Sequence, residues 1–220
     1  MEHQTQKNGL GKKRVGFHYY PDTFHYSEKE VKLWPKIFES YGINWLAIQS
    51  PLNRAVPEDF IRAFTDRKIQ VMVDFKMAND FTKEVSDLET LLSAYGRWGV
   101  RYALLNCTPN SRNSWPDHQW SHPKLVEKHA ERFLEFSEMA LSCNIHPVFP
   151  PLLPGGNYWD LAFIQKTFRF IHAHASDRVK SNLVLSSFGW HFGKGLDWGA
   201  GGLKIWKSPK PYPVSYTHLR

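Results

Sequence analysis

Residues able to bind or transfer protons recur where short apolar runs end. The ends of the runs supply His18 and Asp22 from the first unit, Gln49 from the second, Asp74 and Lys76 from the third, Asn106 from the fourth, and Trp190 and His191 from the sixth. Hydrogen-bonding groups of this kind suit a polyhydroxylated ligand. Two carboxylates, Asp74 and Asp117, are the candidates for acid or base work. Asp74 stands two residues from Lys76 on one face of a strand, so a structural ion pair is an equal reading of it.

The apolar runs are Arg14 to Tyr19, Asn44 to Gln49, Gln70 to Phe75, Arg101 to Asn106, His146 to Phe149 and Asn182 to Ser187. Between them lie segments with apolar residues at helical spacing, which is how parallel strands joined by crossover helices read. Ser27 with Glu30 forms a capping box opening a helix that closes at Gly42, and a second helix follows Pro57. Ser86 or Asp87 caps a third that ends before Gly99; two more are expected from Pro123 to Cys143 and from Tyr158 to Ala175. The fold class is α/β, an incomplete (β/α)8 TIM barrel with about six of its eight units present. A doubly wound sheet shares the pattern, but no glycine-rich phosphate fingerprint follows the first strand. Barrel enzymes build their sites from the loops after the strands, so the residues above are expected to share one mouth.

Nine tryptophans in 220 residues sharpen the picture. Trp34, Trp45 and Trp98 fall within predicted elements and read as core. Trp115, Trp120, Trp159, Trp190, Trp198 and Trp206 fall in or beside loops after strands, where flat rings can cover the C–H faces of a sugar or pack over one another as a lid. The loop after the fourth run, NCTPNSRNSWPDHQW, is long and supplies Asn110 and Arg112 as further binding candidates. Its His118 and His122 are four apart, but Pro123 argues against a helix there, and solvated histidines are the better reading. The loops PPLLPGGNYWD and FGWHFGKGLDWGAGG lack the Walker spacing and read as aromatic-tipped loops.

The formal charge of +7 lies at the ends: residues 1–14 carry +3, residues 194–220 carry +4, and the segment between sums to zero. A nucleic-acid groove needs its charge on the folded body, so none is expected. Cys107 and Cys143 make no metal-ligand spacing and are expected as free thiols. No metal or cofactor is expected, and the oligomeric state is open. No secretory signal or bilayer-length apolar run is visible, so the expectation is a cytoplasmic chain with no membrane association. Residues 1–13 read as a basic tail and 14–213 as the barrel domain. Residues 214–220, Val-Ser-Tyr-Thr-His-Leu-Arg, read as the translation of a sequencing-library adapter, so the natural sequence is expected to end near Pro213.

The motifs GFHYYPD, NCTPNSRNSW, PGGNYWD and WGAGG together resemble the barrel domain of clan A glycoside hydrolases. The resemblance implies hydrolysis of an oligo- or polysaccharide by a retaining mechanism with two carboxylates about 5 Å apart. It covers roughly residues 14–213 and departs from the pattern where it matters. Asn106 matches the family's asparagine, but Cys107 and Thr108 precede Pro109 where an acid should stand. Two alternatives accompany it: a carbohydrate-binding barrel without catalysis, and a metal-dependent sugar isomerase or lyase barrel using His and Asp at the strand ends.

Overall fold

A computed structural model describes residues 16–22, 24–76, 85–105 and 108–188. The strands are β1 (Gly16–His18), β2 (Trp45–Ser50), β3 (Gln70–Phe75), β4 (Tyr102–Leu105), β5 (His146–Phe149) and β6 (Val184–Leu185). They form one parallel sheet in the order β1-β2-β3-β4-β5-β6, the architecture of an incomplete (β/α)8 barrel. The helices are α1 (Glu28–Tyr41), α2 (Glu58–Thr65), α3 (Val85–Arg97), α4 (Asp117–Trp120), α5 (Leu125–Ser142), α6 (Asp160–His174) and α7 (Asp177–Asn182). Contacts divide the chain into two compact units. The first holds β1 to β3, α1 to α3, most of β4 and residues 142–145; the second holds 105–141 and everything from His146 onward.

In the first unit, alternation along β2 and β3 separates two faces. Leu46, Ile48, Val71 and Val73 are buried on one of them. That face meets the helices, because Ser50 on the same side of β2 bonds Tyr95 of α3 at 2.7 Å. Trp45, Ala47 and Gln49 of β2 and Gln70, Met72 and Asp74 of β3 occupy the other face. The helices start where the residue types demand. Glu30 accepts from both the amide and the hydroxyl of Ser27, at 2.8 and 2.9 Å, and so holds the first turn of α1. Gly42 ends it at φ 63°, the left-handed conformation that costs a glycine least.

The free side of β1 is apolar. A groove of about 660 Å³ runs beside it, lined by Phe17, Tyr20, Trp34, Ile37, Tyr41 and Ile43 among others. In the second unit the core is aromatic, with Phe133, Phe136, Phe149 and Phe163 fully buried. Cys143 is a free thiol, as expected. Among the described residues no helix is long and apolar enough to cross a membrane.

Candidate functional site

Parallel pairing brings the C-terminal ends of successive strands to one edge of the sheet, and register decides which side chains stand together there. Gln49 of β2 is the direct partner of Asp74 of β3, so the two lie on the helix-free face about 4.8 Å apart across the strands. Asp74 is only 4% exposed, whereas Gln49 is half-buried. His18, opposite Ala47, lies one pleat nearer the N-terminal end and is exposed. The rings of Trp45 and Tyr102, tilted by 40° with 4.8 Å between centroids, belong to the same unit. Unit one thus assembles three of the sequence candidates, His18, Gln49 and Asp74, at the strand ends where they were expected.

The loop after β1 is tied down from several sides. Tyr19, buried among Trp34, Tyr26 and Phe60, donates its hydroxyl to the carbonyl of His25 at 2.6 Å. Burial raises the pKa of its phenol far above the usual value, so it stays a donor. Tyr26, its pKa pushed up to about 12 by burial, donates to the carbonyl of Asp22 at 3.3 Å. The Asp22 carboxylate accepts from the Phe24 amide at 2.9 Å and from Nδ1 of His25 at 2.8 Å. Those two hydrogen bonds hold its pKa below the ordinary carboxylate value, the Phe24 amide contributing most. Tyr20 stacks on the His25 ring at 4.0 Å. His25 stands outside the strand-end pattern, and its sequence signal is the Asp-x-x-His spacing alone.

In the second unit the loops after β4 and β5 are joined side chain to backbone. Asn110, fully buried, donates to the carbonyl of Leu153 at 2.8 Å and accepts from the Leu153 amide at 2.8 Å. The Tyr158 amide bonds the Asn110 carbonyl at 3.0 Å, and the Arg112 amide donates to the Asn157 side chain at 2.9 Å. Gly156 packs so closely that a Cβ there would lie 2.6 Å from Nδ2 of Asn110. Trp115 is 5% exposed and donates Nε1–H to the Pro109 carbonyl at 2.8 Å. Asn110 and Trp115 are therefore committed to packing. Trp159, 65% exposed, is available to a ligand.

Asp117 opens the four-residue α4, with a side chain 94% exposed and 3.8 Å from the Arg112 guanidinium. An exposed pair at that distance contributes little. His122 accepts from the Lys124 amide at 3.0 Å, beyond the end of α4. Asp160 was not singled out by its spacing; it is 3% exposed, and its Oδ2 lacks a hydrogen-bond partner among the described residues. Among the described residues no three His, Cys, Asp or Glu side chains gather as a metal site. Asn106, Trp190, His191 and Trp198, together with the terminal tails, lie outside the described residues.

The fold thus defines the class as an incomplete (β/α)8 barrel. Within that class the chain is similar to the solved structure of an L-ribulose 3-epimerase, with a TM-score of 0.51 and 13% identity. That match covers 79% of this chain and 60% of the epimerase, so the chain spans about three fifths of the protein it matches. A D-psicose 3-epimerase solved in the presence of D-fructose gives a TM-score of 0.49 at 11% identity, covering 79% of this chain and 63% of that one. A sugar phosphate isomerase/epimerase from Parabacteroides distasonis gives 0.44 at 10% identity, over 82% and 66%. No family model and no curated protein matches the sequence.

These findings correct the resemblance to clan A glycoside hydrolases, and with it the expected hydrolysis of an oligo- or polysaccharide. The L-ribulose 3-epimerase, which this chain matches at a TM-score of 0.51, is a sugar epimerase and not a glycoside hydrolase. The physical reason is visible in the motifs that carried the resemblance. NCTPNSRNSW and PGGNYWD supply Asn110, Gly156 and Asn157, which join two loops to each other, and Trp115, which bonds Pro109 within its own loop. The hydrolytic roles of Asp74 and Asp117, and the description of the chain as a carbohydrate-binding hydrolase, fall with that resemblance.

Proposed function

We propose that this chain belongs to a sugar isomerase or epimerase barrel that moves a proton on a small carbohydrate at a carbon beside a carbonyl. The observation that carries the reading is the pairing of Asp74 with Gln49 on the helix-free face, the carboxylate 4% exposed. The fold it shares with an L-ribulose 3-epimerase supports it.

An ionised carboxylate shielded from water is a competent base for a C–H proton next to a carbonyl. Asp74 removes that proton, and the electron pair of the C–H bond moves toward the carbonyl oxygen. The amide N–H of Gln49 donates to that oxygen as negative charge develops on it. His18, exposed nearer the N-terminal end of the face, is placed to bind a sugar hydroxyl. Among the described residues no three His, Cys, Asp or Glu side chains gather, and the steps above are written with described residues alone. The substrate is a free pentose or hexose in its open-chain keto or aldo form.

The test is to incubate the protein with single ketoses and aldoses in D2O and follow the loss of the C–H signal beside the carbonyl by NMR. Deuterium is expected to enter at that carbon. Asp74→Asn is expected to slow the exchange by about 10²- to 10⁴-fold with the fold intact by circular dichroism. Equal rates in the variant and the parent would overturn the assignment.

A further inference from the structure

A sugar whose reacting carbon meets Asp74 and Gln49 must lay the rest of its chain along the face that carries them. We infer that the chain crosses β2 over Ala47 toward His18, which makes Ala47 a specificity-determining residue; this rests on the reading of Asp74 as the base.

Register fixes the neighbours of Ala47. Side chains two apart on a strand share a face, so Trp45, Ala47 and Gln49 form one column on β2, and Met72 lies one pleat below Asp74 on β3. Ala47 is the direct partner of Met72 on one side and of His18 on the other. His18, Ala47 and Met72 thus make a row across three neighbouring strands, just beneath the row of Gln49 and Asp74. A larger side chain stands on each of the four sides of Ala47: His18, Met72, Trp45 and Gln49. The methyl is therefore the floor of a notch. That notch is open, since Ala47 is half-buried, whereas Ala103 on the opposite face of β4 is fully buried.

The notch lies on the path between the polar groups. Asp74 and His18 are two strand spacings across and two residues along from each other, about 12 Å between Cα atoms. Their side chains stand roughly perpendicular to the sheet, so the polar ends keep about that separation. A hydrogen bond of about 3 Å at each end leaves about 6 Å, the length of an open chain of five or six carbons. Such a chain crosses β2 beside Gln49, and of the two residues flanking its path there only Ala47 is small enough to leave it clearance. The chemistry along the path matches a sugar. Asp74, Gln49 and His18 meet oxygens and the acidic C–H, while the Ala47 methyl and the Met72 side chain meet the remaining C–H groups.

The test compares sugars that cross Ala47 with one that does not. Valine suits a strand, so Ala47→Val fills the notch in a residue type the sheet accepts. Dihydroxyacetone, with three carbons, reaches Asp74 and Gln49 alone. In D2O its exchange in Ala47→Val is expected to stay within about threefold of the parent, while kcat/KM for exchange of a ketopentose and a ketohexose falls about 10- to 100-fold. His18→Ala is expected to show the same split. Parallel loss on all three sugars, or no loss on any, would overturn the path over Ala47. A second measurement does not need the base: a pentitol, which has the hydroxyls and no carbonyl, is titrated by saturation-transfer NMR and is expected to bind at least about tenfold more weakly to Ala47→Val. Equal binding would overturn the proposal. Absence of exchange in the parent, with pentitol binding still weakened by Ala47→Val, would overturn Asp74 as the base and leave the path standing.

Discussion

A single buried imidazole shows how far an environment can shift a titration. His129 lies among the rings of Trp115, Phe149 and Phe163, within 5.5 to 6.4 Å between centroids. Burial first, and the Arg132 cation second, lower its pKa from 6.5 to about 3. The unfolded chain takes up the proton near pH 6.5 and the folded chain only near pH 3, so the stabilising effect of the neutral ring is complete above 6.5 and is lost as pH falls through that window. The loss is on the order of 1 kcal/mol per pH unit. Urea unfolding at pH 7 and pH 5 is expected to show a lower midpoint at pH 5, and a smaller drop in His129→Phe. An unchanged pH dependence in that variant would place the effect elsewhere. At this scale sequence patterns carried little information: His129 reads as one polar residue in an amphipathic helix, and only the aromatic shell around it, drawn from three segments, makes it distinctive.

Elements were easier to read than their ends. Every predicted strand is present; among the described residues β1 runs Gly16–His18, and β6 narrows to Val184–Leu185. Apolar runs mark where a strand can form, whereas the neighbouring strand determines how many of those residues pair. The short helices α4 and α7 were not expected, since four and six residues are too few to show a period. What holds elements together is also hidden from periodicity. Tyr95 of α3 reads as an apolar-face residue, yet its hydroxyl meets Ser50 at 2.7 Å and the buried amide of Val56 at 2.8 Å. Burial raises the pKa of this phenol, so it is always available as a donor. Tyr95→Phe keeps the ring and strands both partners, with an expected cost of about 1 to 3 kcal/mol in chemical denaturation. A loss below a few tenths would mean that water replaces the hydroxyl.

For the molecule as a whole, the strand ends read from sequence put Gln49 and Asp74 on neighbouring strands, and the register makes them direct partners. Asn110 and Trp115, read as binding groups from loop length and aromatic content, bond respectively to Leu153 and Tyr158, more than forty positions away, and to Pro109 within the loop itself. Charge is likewise a property of the whole: the +7 of the sequence lies on residues 1–14 and 194–220, and the segment between them sums to zero. Among the described residues, the groove beside β1 leaves Phe17 53% and Tyr41 73% exposed. The Asn110 junction carries a kinetic consequence. It joins positions 43 and 48 residues apart through one side chain, a closure that a folding chain makes only after the intervening α5 and β5 are in place. Contacts formed after the rate-limiting step do not govern how fast a chain folds; they govern how long it stays folded. Asn110→Ala is therefore expected to leave the refolding limb of the chevron nearly unmoved and to raise the unfolding limb, making this loop clasp a determinant of the native state's lifetime.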